Sequence, residues 1–165
     1  MKRDAGTGDP WKSFVSLMEP PIYTVWLPAK PASVAVARLM VRAALWDWHL
    51  NHLADTAQLI ISELVTNALT FGTGAAAMVF PRGEALVIEV TDDCLQLPEI
   101  VDAASDDEHH RGLVLVDALA TKWGTDLHDT TKTVWAHLEY GECDESKAAR
   151  KRLVSLVAVP DGGQE

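Results

Sequence analysis

Residues 52–71 read HLADTAQLIISELVTNALTF, and this stretch decides how the rest of the chain is read. Leu53, Ala57, Ile60, Ile61, Leu64, Val65 and Ala68 recur at three- and four-residue spacing, the period of a helix with one apolar face. Gly72 follows where such a helix would stop. The opposite stripe is polar and holds Gln58, Ser62, Glu63, Thr66, Asn67 and Thr70. Glu63 and Asn67 lie four apart, so they stack about one turn from each other. A carboxylate beside a carboxamide offers two hard oxygens, which suits one hydrated magnesium ion whose other ligands are phosphates. The same stripe also suits a helix face that is simply solvated.

Working outward, a second apolar helix is predicted upstream, over Val34 to Trp48, with Pro31 where its first turn would begin. Before it, Ile22 to Leu27 alternates like a strand and closes at Pro28. Downstream, Ala75–Phe80 and Ala85–Thr91 read as a hairpin joined by Pro81-Arg82-Gly83-Glu84. Leu86, Ile88 and Val90 point to one face of the second strand; Val87, Glu89 and Thr91 point to the other. A loop of low periodicity runs from Asp92 to about Arg111, a length typical of lids and binding loops. A short helix is expected from Gly112 to Leu119, then strands near Thr121–Leu127 and Thr133–Tyr140. The order β-α-α-β-β-loop-α-β-β predicts an α+β fold: a two-layer sandwich, its mostly antiparallel sheet covered on one face by helices. Residues 1–20 are expected to form an N-terminal arm, 21–141 the folded domain, and 142–165 a helical, basic C-terminal tail.

Composition narrows the function. The chain has 165 residues, 48% hydrophobic and 23% charged, which is ordinary for one globular domain. Fourteen lysines and arginines against 24 acidic residues leave a formal charge of −10. Such a surface repels phosphate backbones and anionic lipid, so neither nucleic acid nor membrane is the expected partner. Any small anion must be gripped locally. Two cysteines, Cys94 and Cys143, are too few for a disulfide scaffold and fit a reducing compartment. No apolar run is long enough to span a bilayer, and the opening residues carry none of the pattern of a signal peptide. A cytoplasmic location is expected.

Four further features bear on chemistry. Asp92 ends an apolar strand and could accept a hydrogen bond from an amino group such as that of adenine; an Asp-Asp turn would look the same. Arg111-Gly112-Leu113 opens a helix, where free amides and the helix dipole favour an anion. Lys132-Thr133-Val134-Trp135 begins the last strand, and the Thr133 hydroxyl could support a ligand held by Asp92. His49 with His52, and His109 with His110, are paired without a third ligand nearby, which argues against a transition-metal site.

Five strings fall in order: Ser62-Glu63-Leu64-Val65-Thr66-Asn67-Ala68, Glu89-Val90-Thr91-Asp92, Arg111-Gly112-Leu113-Val114-Leu115-Val116-Asp117, Lys122-Trp123-Gly124 and Lys132-Thr133-Val134-Trp135. Together they resemble the GHKL ATPase superfamily (gyrase, Hsp90, histidine kinase, MutL). The texture is most similar to the anti-sigma-factor serine/threonine kinases of the RsbW/SpoIIAB type and their actinobacterial relatives. The resemblance implies a Bergerat-type sandwich that binds ATP and Mg2+. On it, Asn67 holds the magnesium through the nucleotide phosphates and Glu63 is the catalytic base. Asp92 recognises adenine and Thr133 braces it. Arg111, Gly112 and Leu113 pass backbone amides to the phosphates, and residues 93–111 form the lid. The implied partners are a sigma factor and an anti-anti-sigma protein of the STAS type, with a homodimer also compatible.

The chain departs from the family's pattern where phosphates are handled. The two glycines of the first box are Cys94 and Gln96, and a single Gly112 replaces the glycine-rich lead-in of the second. Thr70 and Phe71 stand where relatives carry a basic residue and a histidine. Two functions therefore remain open. One is a kinase that phosphorylates the antagonist; the other is a degenerate module that sequesters a sigma factor or antagonist without phosphotransfer.

Overall fold

The computed structural model describes residues 21–98 and 111–140, Arg111 by its backbone alone. The expected arm (1–20), most of the expected lid (99–110), residue 141 and the expected tail (142–165) lie outside the described residues, as do Cys143, His109 and His110.

The elements follow the expected order. Strand β1 spans Tyr23–Pro28, helix α1 Ala32–Asp47, and helix α2 Ala54–Phe71 after a single 3-10 turn at Asn51–Leu53. The hairpin is β2 (Gly74–Arg82) and β3 (Ala85–Asp92); α3 (Arg111–Leu119), β4 (Lys122–Leu127) and β5 (Lys132–Glu139) complete it. The five strands form one sheet in the order β1-β2-β3-β5-β4, every neighbouring pair antiparallel.

The hairpin turn is shorter than the four residues expected. Pro81 pairs with Leu86 and Arg82 with Ala85, so only Gly83 and Glu84 turn the chain. Gly83 takes φ of 62°, which glycine adopts without steric cost. Pro81 is tolerated because β1 pairs with β2 only as far as Val79, so no neighbour asks for the missing N–H.

The core lies between the sheet and α1 and α2. Val41, Leu45, Ile60, Ile61 and Val65 from the helices meet Val79, Leu86, Ile88, Val90, Val134, Ala136 and Leu138 from the strands. Alternation sends Trp26, Met78, Glu89, Thr91, Thr133, Trp135 and His137 to the other face, which no helix covers among the described residues. No helix among the described residues is long and apolar enough to cross a membrane.

Candidate functional site

Half of the polar stripe of α2 bonds back to its own helix. Ser62 Oγ donates to the Gln58 carbonyl at 2.6 Å, Thr70 Oγ1 to the Thr66 carbonyl at 2.7 Å, and Gln58 Nε2 to the Ala54 carbonyl at 3.1 Å. Such bonds leave these groups little to offer a ligand. The exposed Thr66 and the half-buried Glu63 and Asn67 remain, their side chains without a hydrogen bond among the described residues. The first turn of α3 comes directly against Glu63. A Cβ placed on Gly112 would lie 2.6 Å from Glu63 Oε2. Glycine thus lets the carboxylate rest at the mouth of α3, where the positive end of the helix dipole favours it. The fold brings Glu63 against Gly112 and the first turn of α3, with Asn67 one turn further along α2, while the Leu113 side chain is buried. A carboxylate beside the first turn of a helix, with a carboxamide one turn along, suits magnesium-bound phosphate, so this end of the expected pocket fits.

The other end is built differently. Asp92 closes β3 on the helix-covered face and is buried. Its Oδ1 accepts the Cys94 N–H at 2.8 Å and pairs with Lys132 Nζ at 3.2 Å. Lys132 Nζ also donates to the carbonyls of Cys94, at 2.7 Å, and Gln96, at 2.9 Å. The two side chains are 5% and 2% exposed, lysine first. An ammonium has three protons, and three acceptors surround this one.

The expectation that Thr133 supports a ligand on Asp92 is corrected by the register. Asp92 faces Lys132 and Thr91 faces Thr133, so side-chain alternation puts Thr133 on the uncovered face. There its Oγ1 lies 2.8 Å from Thr91 Oγ1 and 3.4 Å from His128 Nε2. Sequence reasoning missed Lys132. The signal was present in parity, since Val134, Ala136 and Leu138 read as an inward set and position 132 continues it. An amino group arriving at Asp92 Oδ1 would meet an oxygen already shared by an ammonium and an amide.

Other motif residues turn out to hold the fold. Asp93 accepts the Thr73 N–H at 2.8 Å and the Thr73 hydroxyl, tying the end of β3 to the end of α2. These bonds, the hydroxyl first, hold its carboxyl below the usual carboxylate range. Trp123 Nε1 donates to Asp117 Oδ1 at 2.8 Å, joining α3 to β4. Trp135 lies over Gly124, where an added Cβ would sit 2.6 Å from the ring. Among the described residues no cluster of three or more His, Cys, Asp or Glu could hold a metal.

No family model and no curated protein matches the chain. A crystal structure of the RsbU and RsbW domains of Rv1364c from Mycobacterium tuberculosis is similar to it, with a TM-score of 0.56 at 18% identity. The likeness covers 72% of this chain and 32% of that one, so the chain spans less than a third of its neighbour's length. At that identity what the two share is a fold: a GHKL-like α+β sandwich, here five antiparallel strands under a layer of helices.

Proposed function

We propose that the chain is a cytoplasmic partner-switching regulator of the anti-sigma type, which acts by binding a sigma factor or its STAS-type antagonist. The observation that carries this reading is the outer face of α1. Val36, Leu39, Ala43 and Trp46 recur at three- and four-residue spacing and stand exposed, opposite the buried Ser33, Ala37, Val41, Ala44 and Leu45. Leu39 is 67% and Trp46 74% exposed. A helix that shows water an apolar stripe as well as burying one has a surface suited to a protein partner. Arg38 and Arg42 flank the stripe on a chain of net charge −10, which adds a local attraction for an acidic partner surface. The shared fold with a structure whose named domains include RsbW supports the same class of function.

A second reading is the kinase: phosphorylation of the antagonist with Mg-ATP. It is favoured by Glu63 and Asn67, which have no hydrogen bond among the described residues, Glu63 lying against the first turn of α3. There Asn67 would hold the metal and Glu63 would take the proton of the accepting hydroxyl.

The test is pairwise binding of the purified chain to the sigma factors and STAS-type proteins of its own organism, followed by a phosphate-transfer assay on any pair that forms. One of them should bind, and Leu39→Glu and Trp46→Glu should each weaken it by roughly tenfold or more, as expected for apolar anchors. A complex indifferent to both substitutions rejects α1 as the interface. Binding to no member of either class rejects the regulatory reading.

A further inference from the structure

We infer that Lys132 decides what the pocket beneath α2 accepts: its ammonium stands where a base's amino group would donate to Asp92, and it shuts the base end to adenine nucleotides. This inference rests on the reading of the chain as a regulator of GHKL-like fold only for where the pocket lies; the closure itself is read from the side chains.

Three observations meet at one nitrogen. Lys132 Nζ reaches Asp92 Oδ1 and the carbonyls of Cys94 and Gln96, so each of its protons has an acceptor. Asp92 Oδ1 is shared with the Cys94 N–H, so one oxygen of the carboxylate that would receive an amino group is engaged twice. The group is also buried, with both side chains almost fully withdrawn from water. An incoming base would have to expel a satisfied ammonium from a low-dielectric site and offer a neutral donor in exchange, and the ammonium wins that exchange. Lys132 holds the backbone as well: two carbonyls of the segment leaving β3 bond to a residue of β5, so the segment is drawn in over the carboxylate.

The chemistry predicts what releases the site. Removing the ammonium frees a carboxylate oxygen and two carbonyls, all acceptors. Such a site favours a base with an exocyclic amino donor, as adenine has, over guanine, whose corresponding edge presents an acceptor oxygen. Lys132→Thr shortens the side chain and puts a neutral hydroxyl where the ammonium was.

The experiment is a titration of the full chain and of Lys132→Thr with ADP and GDP, with magnesium, followed calorimetrically and through the backbone amide signals of Cys94 and Gln96. The wild-type chain should show no ADP-dependent shift at these amides up to about 5 mM, whereas the variant should bind ADP at least about tenfold more tightly and prefer it to GDP. Wild-type binding of ADP at sub-millimolar concentration that moves the two amides overturns the inference, whether or not the variant folds. So does a folded variant that binds no better than wild type. Lys132→Thr leaves a buried carboxylate unpaired. If its amide spectrum shows it unfolded, Lys132→Thr with Asp92→Asn removes that charge while keeping an acceptor oxygen, and the same two outcomes decide.

Partner binding by the wild-type chain, measured alongside, keeps the two readings apart. A Lys132-dependent gain of ADP binding in a chain that captures no partner rejects the regulatory function alone. A captured partner with no such gain rejects the closure alone.

Discussion

His49 is the sole non-glycine among the described residues with a positive φ, at 58°. It sits one place past Trp48, which caps α1, and here Leu50 N–H reaches back to the Leu45 carbonyl at 2.8 Å and His49 N–H to that of Trp46 at 3.2 Å. This is the helix stop that ordinarily employs glycine, with the buried Leu50 closing it from outside. Reading the helix from its periodicity located its end to within a residue, but nothing local announced the left-handed turn, because a histidine occupies it. His49→Gly should raise stability by up to about 1 kcal/mol in urea unfolding, and a loss instead would mean that the imidazole makes a contact worth more than the backbone strain. A second residue-scale expectation concerns Asp93. Its carboxyl is held low by Thr73, so its contribution is present above the unfolded pKa and is lost as pH falls through the lower, folded value. Thr73→Val should therefore lower stability at neutral pH, and the gap from wild type should close in acid. A gap that stays constant down to about pH 2 would show that Asp93 is not its source.

At the scale of elements, the strings that resemble GHKL proteins divide into those whose side chains have no protein partner among the described residues and those that hold strands and helices together. Glu63 and Asn67 on α2 belong to the first group, with Gly112 of α3 directly against Glu63. Asp117 with Trp123, and Gly124 with Trp135, belong to the second. Pattern reading found both groups but could not tell them apart, since a Gly beside a Trp looks the same whether it admits a ligand or a neighbouring ring. Gly124 is required because the Trp135 indole crosses β4 at van der Waals distance. Gly124→Ala should displace that ring and cost about 1–3 kcal/mol, with a matching change in tryptophan fluorescence. An unchanged melting midpoint would show that the edge strand simply moves aside. The same contrast applies to α1. Its core face was evident from spacing, whereas the exposure of Leu39 and Trp46 followed only once the sheet was known to claim the opposite side.

Across the whole molecule, the Asp92–Lys132 pair joins β3, β5 and the segment beyond β3 at a single buried point. Removing one partner leaves an uncompensated charge, so Lys132→Met should cost roughly 3–5 kcal/mol, while Lys132→Met with Asp92→Leu should recover much of that loss. Equal destabilisation by the single and double variants would show that the backbone bonds, not the charges, matter there. The sequence by itself determined the element order, the two long helices and their core stripes, the hairpin, the antiparallel α+β class and the pairing of Glu63 with Asn67. All of these follow from periods and turns within a few residues of one another. Only the tertiary structure decided which residue faces Asp92. That depends on the register of strands forty residues apart in sequence, and a shift of one residue exchanges Thr133 for Lys132 opposite Asp92, a hydroxyl for a buried ion pair.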